Sequence, residues 1–582
     1  MQRGESWDRA PLVIESLRRL AEQRPSAPLY TYVDERGAAS TLTAPEMRHR
    51  ALGLAHALVN DAGLQRGDRV LLVYPPGLEF VTALLGCMHA GLIAVPTAPP
   101  QLGLEAMFAI ARDCKASAAL TCRSFHDAPG AERVRQAGQA TGLSRWLVTD
   151  AMPTSAELTP LPVEPNDTAV IQYTSGSTGT PRGVCISYRN LQHQLVAERH
   201  ALQFDIESCY VFWLPHYHDF GLITAILGAA HGNGQVVFTS PAAFLRTPRM
   251  WGELLTKYRA THTASPDFGF KLFVKRTTPE ERATWDLRSL RVLSSAGEPI
   301  RASTVDALLE ALKPCGLDPA TFAPCYGLAE HTVGITMFGH IRRRFSRSAM
   351  ENDNRAVVQR DGDVVELFGC GPAGIDIAVR IVDPATRRAL SEGQVGEVWA
   401  DSASKALGYY GRDEETRETF FAQLEGDASR GWLRTGDLGA LVDGELFITG
   451  RIKDMVILGG RNIYPQDVEE VVTEHHPLVR PGHVACFGVP DADGEQLVVV
   501  AELREENPTA NQLADIGRAA RAAMNKALGV PRFVLVLAKR DAVPRTTSGK
   551  LRRRSCRAAF LDNTIPNYVV DRGLGFAIEG RA

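Results

Sequence analysis

In the first part of the chain, short continuous apolar runs alternate with longer stretches of helical period. RVLLVY (69–74) is almost wholly apolar, as a strand covered on both faces should be. GLEFVTALLGCMHAG (77–91) has helical spacing, and LIAVPT (92–97) is the next strand, stopped by prolines 96, 99 and 100. Thr43-Ala44-Pro45-Glu46 is a capping box ahead of a periodic stretch that ends near Gly63. Further strands are expected at TAVIQY (168–173), YVFWL (210–214), QVVFT (235–239) and LRVLSS (290–295). This rhythm predicts an α/β fold of largely parallel sheets with helices on both faces. Ligands on such sheets lie at the carboxyl ends of strands.

The rhythm changes after about residue 340. ELFGCG, DIAVRIVD, GEVWA and GELFITG read as short strands joined by Gly and Asp turns. A third region begins near 451 with VACFGVP, QLVVVAEL, a helix over 510–528 and FVLVLAK, which predicts a small α+β domain. The stretch 339–366 is polar and weakly periodic and reads as an excursion or insertion.

Composition adds exclusions. The 582 residues are 45% hydrophobic and 23% charged with net charge −3, so neither a nucleic-acid nor an acidic-membrane surface is expected. The basic run Lys550 to Arg554 reads as a solvated helix face. The polar start MQRGESWDRA predicts no signal peptide, and no apolar run reaches the ~18 residues of a membrane span. The 10 cysteines form no CxxC pair, which fits a reducing, cytoplasmic setting and neither zinc nor disulfides.

The candidate chemistry starts at YTSGSTGTPRGV (173–184), directly after an expected strand. Its glycines and hydroxyls offer a concave set of donors for an anion, phosphate above all, although a flexible Ser/Gly linker has the same composition. It is neither a Walker A loop nor a dinucleotide fingerprint. Four further stretches follow: CYGLAE (325–330), LRTGDLG (433–439) with Asp437 in a glycine turn, GRIKD (450–454) and PRTTSGK (544–550).

These five, in this order, resemble the adenylate-forming superfamily of acyl-CoA synthetases, amino-acid adenylation domains and luciferases. Within it, GLEFVTALLGCMHAGLIAVP, FWLPHYHDFGLI (212–223), SPAAFLRTP (240–248), VRIVDPAT (379–386) and GRNIYPQDVE (460–469) are similar to the fatty acyl-AMP ligases. The resemblance implies a large N-terminal domain, 1–450, of two doubly wound sheets with a small β-barrel-like subdomain. A smaller mobile α+β domain, 451–582, would follow a hinge near 451–454. It also implies that 339–366 is the family's insertion, linked there to loss of transfer to coenzyme A.

The implied reaction joins a medium- to long-chain fatty acid to ATP as acyl-AMP, releasing pyrophosphate. The acyl group then goes to the phosphopantetheine thiol of an acyl carrier protein, or a polyketide or peptide synthetase carrier domain, in lipid, polyketide or lipopeptide biosynthesis. No carrier-type serine motif is present, so the carrier is expected to be separate, and the enzyme a monomer or weak dimer. Two anions must meet, so catalysis is alignment and charge neutralisation. By resemblance, Thr174, Ser175, Gly176, Ser177, Thr178 and Gly179 would cradle phosphates, with Arg182 as cation. Tyr326 and Gly327 would flank the adenine opposite Ser295, Ala296 and Gly297. Glu330 would hold Mg²⁺, Asp437 and Arg451 the ribose, and His218 would stand beside the incoming carboxylate. Lys550 would reach carboxylate and α-phosphate, and Lys453 would act as hinge. Each residue alone also suits a structural role: Glu330 at a helix N-terminus, Asp437 as turn former, His216 and His218 as a metal-like pair.

Three positions depart from the family pattern. Arg182 replaces the usual Lys, and His331 follows YGLAE where a small residue is usual. ASPDFGF (264–270) stands where a glycine-rich stretch lines the acyl tunnel, with Asp267 putting a charge in place of an amide. An acyl-CoA synthetase and an amino- or aryl-acid adenylation enzyme stay open as alternatives, and a non-catalytic nucleotide-binding scaffold disagrees with the presence of Lys550 and Glu330.

Overall fold

The computed structural model describes residues 6–99, 104–152, 158, 161–174, 181–458, 461–491, 494–546 and 549–572. Two seven-stranded sheets dominate the large N-terminal part. In one, Thr168–Thr174, Ile93–Pro96, Arg69–Leu72, Ala118–Thr121 and Trp146–Val148 lie parallel, and Arg182–Ser187 and Gly408–Tyr409 extend the edge antiparallel. The other runs Phe322–Pro324, Val292–Ser295, His262–Ser265, Cys209–Phe212, Gln235–Phe238, Pro28–Val33 and Ala39–Thr43, antiparallel only at the last pair. Helix Leu78–His89 is buried from Phe80 onward, as its apolar composition on every face requires. One contiguous apolar cluster joins both sheets and their helices. Each fully buried Leu or Phe in it is worth about 1.5–3 kcal/mol.

The expected strands form, with ends trimmed: RVLLVY pairs only over Arg69–Leu72, and LRVLSS only from Val292. The strands His262–Ser265 (HTAS) and Phe322–Pro324 (FAP) escape sequence reading because so few residues carry no period. The capping box at Thr43 is present in full, with Thr43 and Glu46 exchanging backbone N–H bonds.

A five-stranded antiparallel sheet follows: Ala378–Val382, Gly396–Asp401, Asp427–Val442 and Ala422–Leu424, with Glu445–Arg451 along the long strand. The stretch 339–366 is an ordered element rather than an aperiodic excursion. Strands Arg342–Ser346 and Val364–Phe368 pair antiparallel around helix Arg347–Asn352. Its arginines are matched to acids, Arg342 to Asp306 (2.6 Å) and Glu366 (2.8 Å) and Arg343 to Asp443 (3.0 Å), while Phe345 and Met350 are buried.

The small C-terminal part carries the four-stranded sheet Val479–Asp491, Gly494–Leu503, Val534–Ala538 and Asn567–Asp571. Helices Pro465–Glu474, Ala510–Leu528 and Arg553–Leu561 accompany it. Its two apolar clusters lie wholly within 456–570, separate from the main core. The basic run at 550–554 is not simply a solvated face. Arg553 is mostly buried and bridges Glu469 (2.7 Å) and Asp454 (2.9 Å). Among the described residues no helix is long and apolar enough to cross a membrane.

Candidate active site

Thr174 ends the strand Thr168–Thr174 and stands opposite Arg182 at the start of the next. Ser175, Gly176, Ser177, Thr178 and Gly179 lie outside the described residues. The two strand ends here are braced by charge. Tyr173 donates through Oη to Asp113 (2.5 Å), and Arg412 reaches Asp113 (3.3 Å), Glu415 (3.3 Å) and the carbonyl of Pro181 (3.1 Å). Arg182 pairs with Glu415 (3.0 Å) and lies over the Tyr409 ring at 5.3 Å. The expected phosphate cation is thus held by protein partners here. The planar guanidinium can serve a carboxylate and a ring at once, which an ammonium does less well.

Tyr409 donates through Oη to Glu330 Oε1 (2.8 Å). Burial raises the Glu330 carboxyl, and that hydrogen bond and the Arg451 charge oppose the rise. Tyr326 donates to Asp437 Oδ2 (2.8 Å), while Arg451 Nε forms an ion pair with Asp437 Oδ1 (2.8 Å). Asp437 and Arg451 are direct partners in adjacent strands, so sheet register brings TGD and GRIKD together. Asp437 sits within a long strand rather than in a turn; the preceding Gly436, at φ 72°, supplies the local kink. Asp437 is buried and holds the Arg451 guanidinium charged, while burial and the Asp437 charge push the Tyr326 phenol well above its ordinary range.

Ser295 ends its strand beside Pro324 and accepts from the N–H of Cys325 (2.9 Å), which sets Ser295, Ala296 and Gly297 next to Tyr326. Gly327 is demanded by packing: a Cβ there would lie 1.7 Å from the carbonyl oxygen of Val333. His218 Nδ1 meets Asp219 Oδ1 at 2.6 Å. Burial alone would raise the Asp219 carboxyl, but His218 and Lys550 hold it below its usual value.

Lys550 closes a tight loop, its N–H donating to Thr546 Oγ1 (3.0 Å) and its carbonyl accepting from Thr546 N–H (2.8 Å). The surrounding protein lowers its ammonium pKa, with Asp219, Glu298 and Asp437 opposing and Arg451 assisting. Lys550 is exposed, on the small domain. Lys453 is exposed; burial of its stem and the fields of Arg554, Arg182 and Arg434 lower it.

Two departures from the family pattern turn out to be internal. His331 is buried between Gly334 O (2.9 Å from Nδ1) and Ser402 Oγ (2.8 Å from Nε2), and burial pushes its pKa down to about 3. Asp267 does not offer a free charge to an acyl tail: its carboxylate accepts from Arg301 N–H (3.0 Å) and Thr304 Oγ1 (3.0 Å), capping helix Ala302–Leu312. His216 is buried against the rings of Phe80 (4.3 Å) and Tyr217 (5.3 Å). Among the described residues no group of three or more His, Cys, Asp or Glu is placed to hold a metal. Asp113, Asp219, Tyr409 and Glu415 were missed from the sequence. Only Asp219, beside His218, had a local signal.

Two α/β sheets with a Tyr–Asp–Arg cluster and a small C-terminal domain fit a nucleotide-activating enzyme. Residues 17–410 match the family of AMP-binding enzymes. The chain is 35% identical to the medium-chain-fatty-acid–[acyl-carrier-protein] ligase JamA of Moorena producens, covering 91% of each. It is 36% identical to the long-chain-fatty-acid–AMP ligase FadD26 of Mycobacterium marinum, covering 93% of this chain and 95% of that one. A solved structure from studies of fatty acyl-adenylate ligases of E. coli and L. pneumophila superposes with a TM-score of 0.85 at 29% identity, covering 96% of this chain and 98% of that one. The chain belongs to the AMP-binding enzymes, and within them to the fatty acyl-AMP ligases.

Proposed function

We propose that this enzyme activates a medium- to long-chain fatty acid with ATP, forming acyl-AMP and pyrophosphate, and passes the acyl group to the phosphopantetheine thiol of a separate carrier protein. The observation that carries this reading is the buried Tyr326–Asp437–Arg451 cluster in a chain of the fatty acyl-AMP ligase family. An acid's carboxylate oxygen attacks the α-phosphorus of ATP, and the bond to the pyrophosphate oxygen breaks. Charge gathers on both sides of that phosphorus, and a fixed cation there, Lys550, is worth more in a water-poor cleft than in bulk solvent. Asp437 offers its carboxylate to the ribose hydroxyls, with Arg451 and Tyr326 holding it. Ser295, Ala296 and Gly297 with Tyr326 form the walls of an adenine slot. His218, held by Asp219, stands on the acid's side. The segment from Thr174 to Gly179 receives the outer phosphates.

Mg²⁺ prefers oxygen ligands and nucleotide phosphates over an all-protein cage. Glu330, with Oε1 oriented by Tyr409, fits as its one protein carboxylate.

The acceptor follows from 339–366. This element grips the small domain through Arg347–Asp467 (2.8 Å), Glu351–Arg461 (2.7 Å) and Asn354–Asn462 (2.9 Å). We assign the boundary and hinge to 451–454, with Lys453 as pivot, and this grip as what restrains the small domain. Free coenzyme A is then a poor acceptor, whereas a carrier brings its own binding surface. The carrier specificity in the name of JamA agrees with this. Ten free thiols suit a cytosolic setting.

ATP–pyrophosphate exchange across an acyl-length series tests activation. Product analysis with coenzyme A against a phosphopantetheinylated carrier tests the acceptor. Exchange with fatty acids and product only on the carrier is expected; acyl-CoA formed as fast as carrier loading would overturn the assignment of the acceptor.

A further inference from the structure

Glu330 lies on a 3₁₀ turn, Ala329–His331, that ends in an uncommon way. Thr332 has φ 67° and ψ −61° and is fully buried, and Val333 N–H donates back to His331 O at 2.8 Å. This is the strained form of the three-residue turn, and it is held by a β-branched residue that disfavours positive φ. Such strain persists only where surroundings over-determine it.

The surroundings here are the segment 402–409. Thr332 Oγ1 donates to Ser404 O (2.6 Å), and Ala406 N–H donates to Glu330 O (3.0 Å). His331 spans the turn. Nδ1 faces only a carbonyl, that of Gly334, so it carries the proton; Nε2 then accepts from Ser402 Oγ, which itself accepts from Ser404 N–H (3.0 Å). Every hydrogen-bonding valence of the ring is used, in one orientation. The same segment ends in Tyr409, which fixes Glu330 Oε1. Backbone and side chain of Glu330 are therefore fastened to one strip of chain, and no described side chain hydrogen-bonds Oε2.

We propose that His331 is a positioning residue for Glu330: by bridging Gly334 and Ser402 it locks the strained turn and presents the second carboxylate oxygen, already oriented, to a divalent cation on the nucleotide. This rests on the adenylation reading and extends it to a residue that departs from the family pattern.

The test uses the full chain, Mn²⁺ as a paramagnetic stand-in for Mg²⁺, and a non-hydrolysable ATP analogue, with bound metal followed by electron paramagnetic resonance. Loss of a residue that orients a metal ligand weakens metal binding by about 10–100-fold. His331→Ala is expected to weaken Mn²⁺ in the ternary complex by that order, leaving metal-free binding of the analogue unchanged. His331→Asn, which keeps a donor toward Gly334, should fall between. A folded His331→Ala variant with wild-type Mn²⁺ affinity overturns the proposal. So does an equal loss of analogue binding with and without metal, which marks a merely structural role. If His331→Ala does not fold, Ser402→Ala removes the same bridge from its other side and is read by the same two outcomes. A wild-type protein that binds neither analogue nor Mn²⁺–analogue overturns the adenylation reading as well, so the two failures are distinct.

Discussion

Glu198 carries a carboxyl group into the apolar core beneath the site. It lies on helix Tyr188–Ala201 and is 2% exposed. Oε1 accepts from Thr224 Oγ1 (2.8 Å) in the segment Phe220–Leu227 that leads away from His218 and Asp219. Oε2 finds no hydrogen bond among the described residues. Burial pushes its pKa from 4.5 to about 7; the Thr224 bond opposes this, and the Asp219 charge adds to it. Each tenfold in proton affinity is about 1.4 kcal/mol, so the fold prefers the protonated acid by about 3 kcal/mol. The sign follows. The raised pKa contributes stability that is fully present below 4.5 and is lost as pH rises through about 7. Glu198→Gln resembles the protonated acid and does not titrate. It should therefore change stability little at about pH 5 and stabilise the protein, relative to wild type, by about 3 kcal/mol at about pH 8.5. Comparing variant with wild type at each pH cancels every other titrating group. The assay is thermal unfolding at the two pH values. A gain of at least a few degrees confined to the alkaline arm is expected, because 1 kcal/mol moves a domain of 150–250 residues by about 2–4 °C and a larger one by less. An identical shift at both pH values, or none, would refute the account of a buried, poorly satisfied carboxyl.

Three further outcomes test the site. Lys550→Ala should lower acyl-adenylate formation by about 10²–10³-fold while calorimetry still records ATP binding; unchanged pyrophosphate exchange rejects the role of Lys550. Asp437→Asn removes the charge held by Arg451 and Tyr326, and KM for ATP should rise on the order of 10–100-fold, as loss of hydrogen bonds to a charged group requires. Gly327→Ala forces a methyl to within 1.7 Å of Val333 O, and melting should show a loss of at least about 1–3 kcal/mol; a wild-type midpoint would mean that the turn carrying Glu330 relaxes freely.

Much of this was legible before any coordinates. Continuous apolar runs such as RVLLVY marked strands buried on both faces, because burial on two sides leaves no polar position in the period. What the one-dimensional chain could not display was partnership. Asp437 meets Arg451 through antiparallel register, and Tyr326 joins them from a strand end more than a hundred positions earlier. Arg182 looked like a cation free for phosphate, yet it is matched to Glu415 and Tyr409, neither of which any local pattern singles out. Asp267 looked like a charge in an acyl tunnel until the packing of helix Ala302–Leu312 placed two donors on it. His331 looked like an anomaly until folding put Ser402 and Gly334 on its two nitrogens. The chain by itself determined which segments become strands and helices and which residue types are available for chemistry, since period and composition act locally. Only the tertiary structure decided which charges face one another and which are already spent, because pairing energy depends on distances that close when remote segments pack.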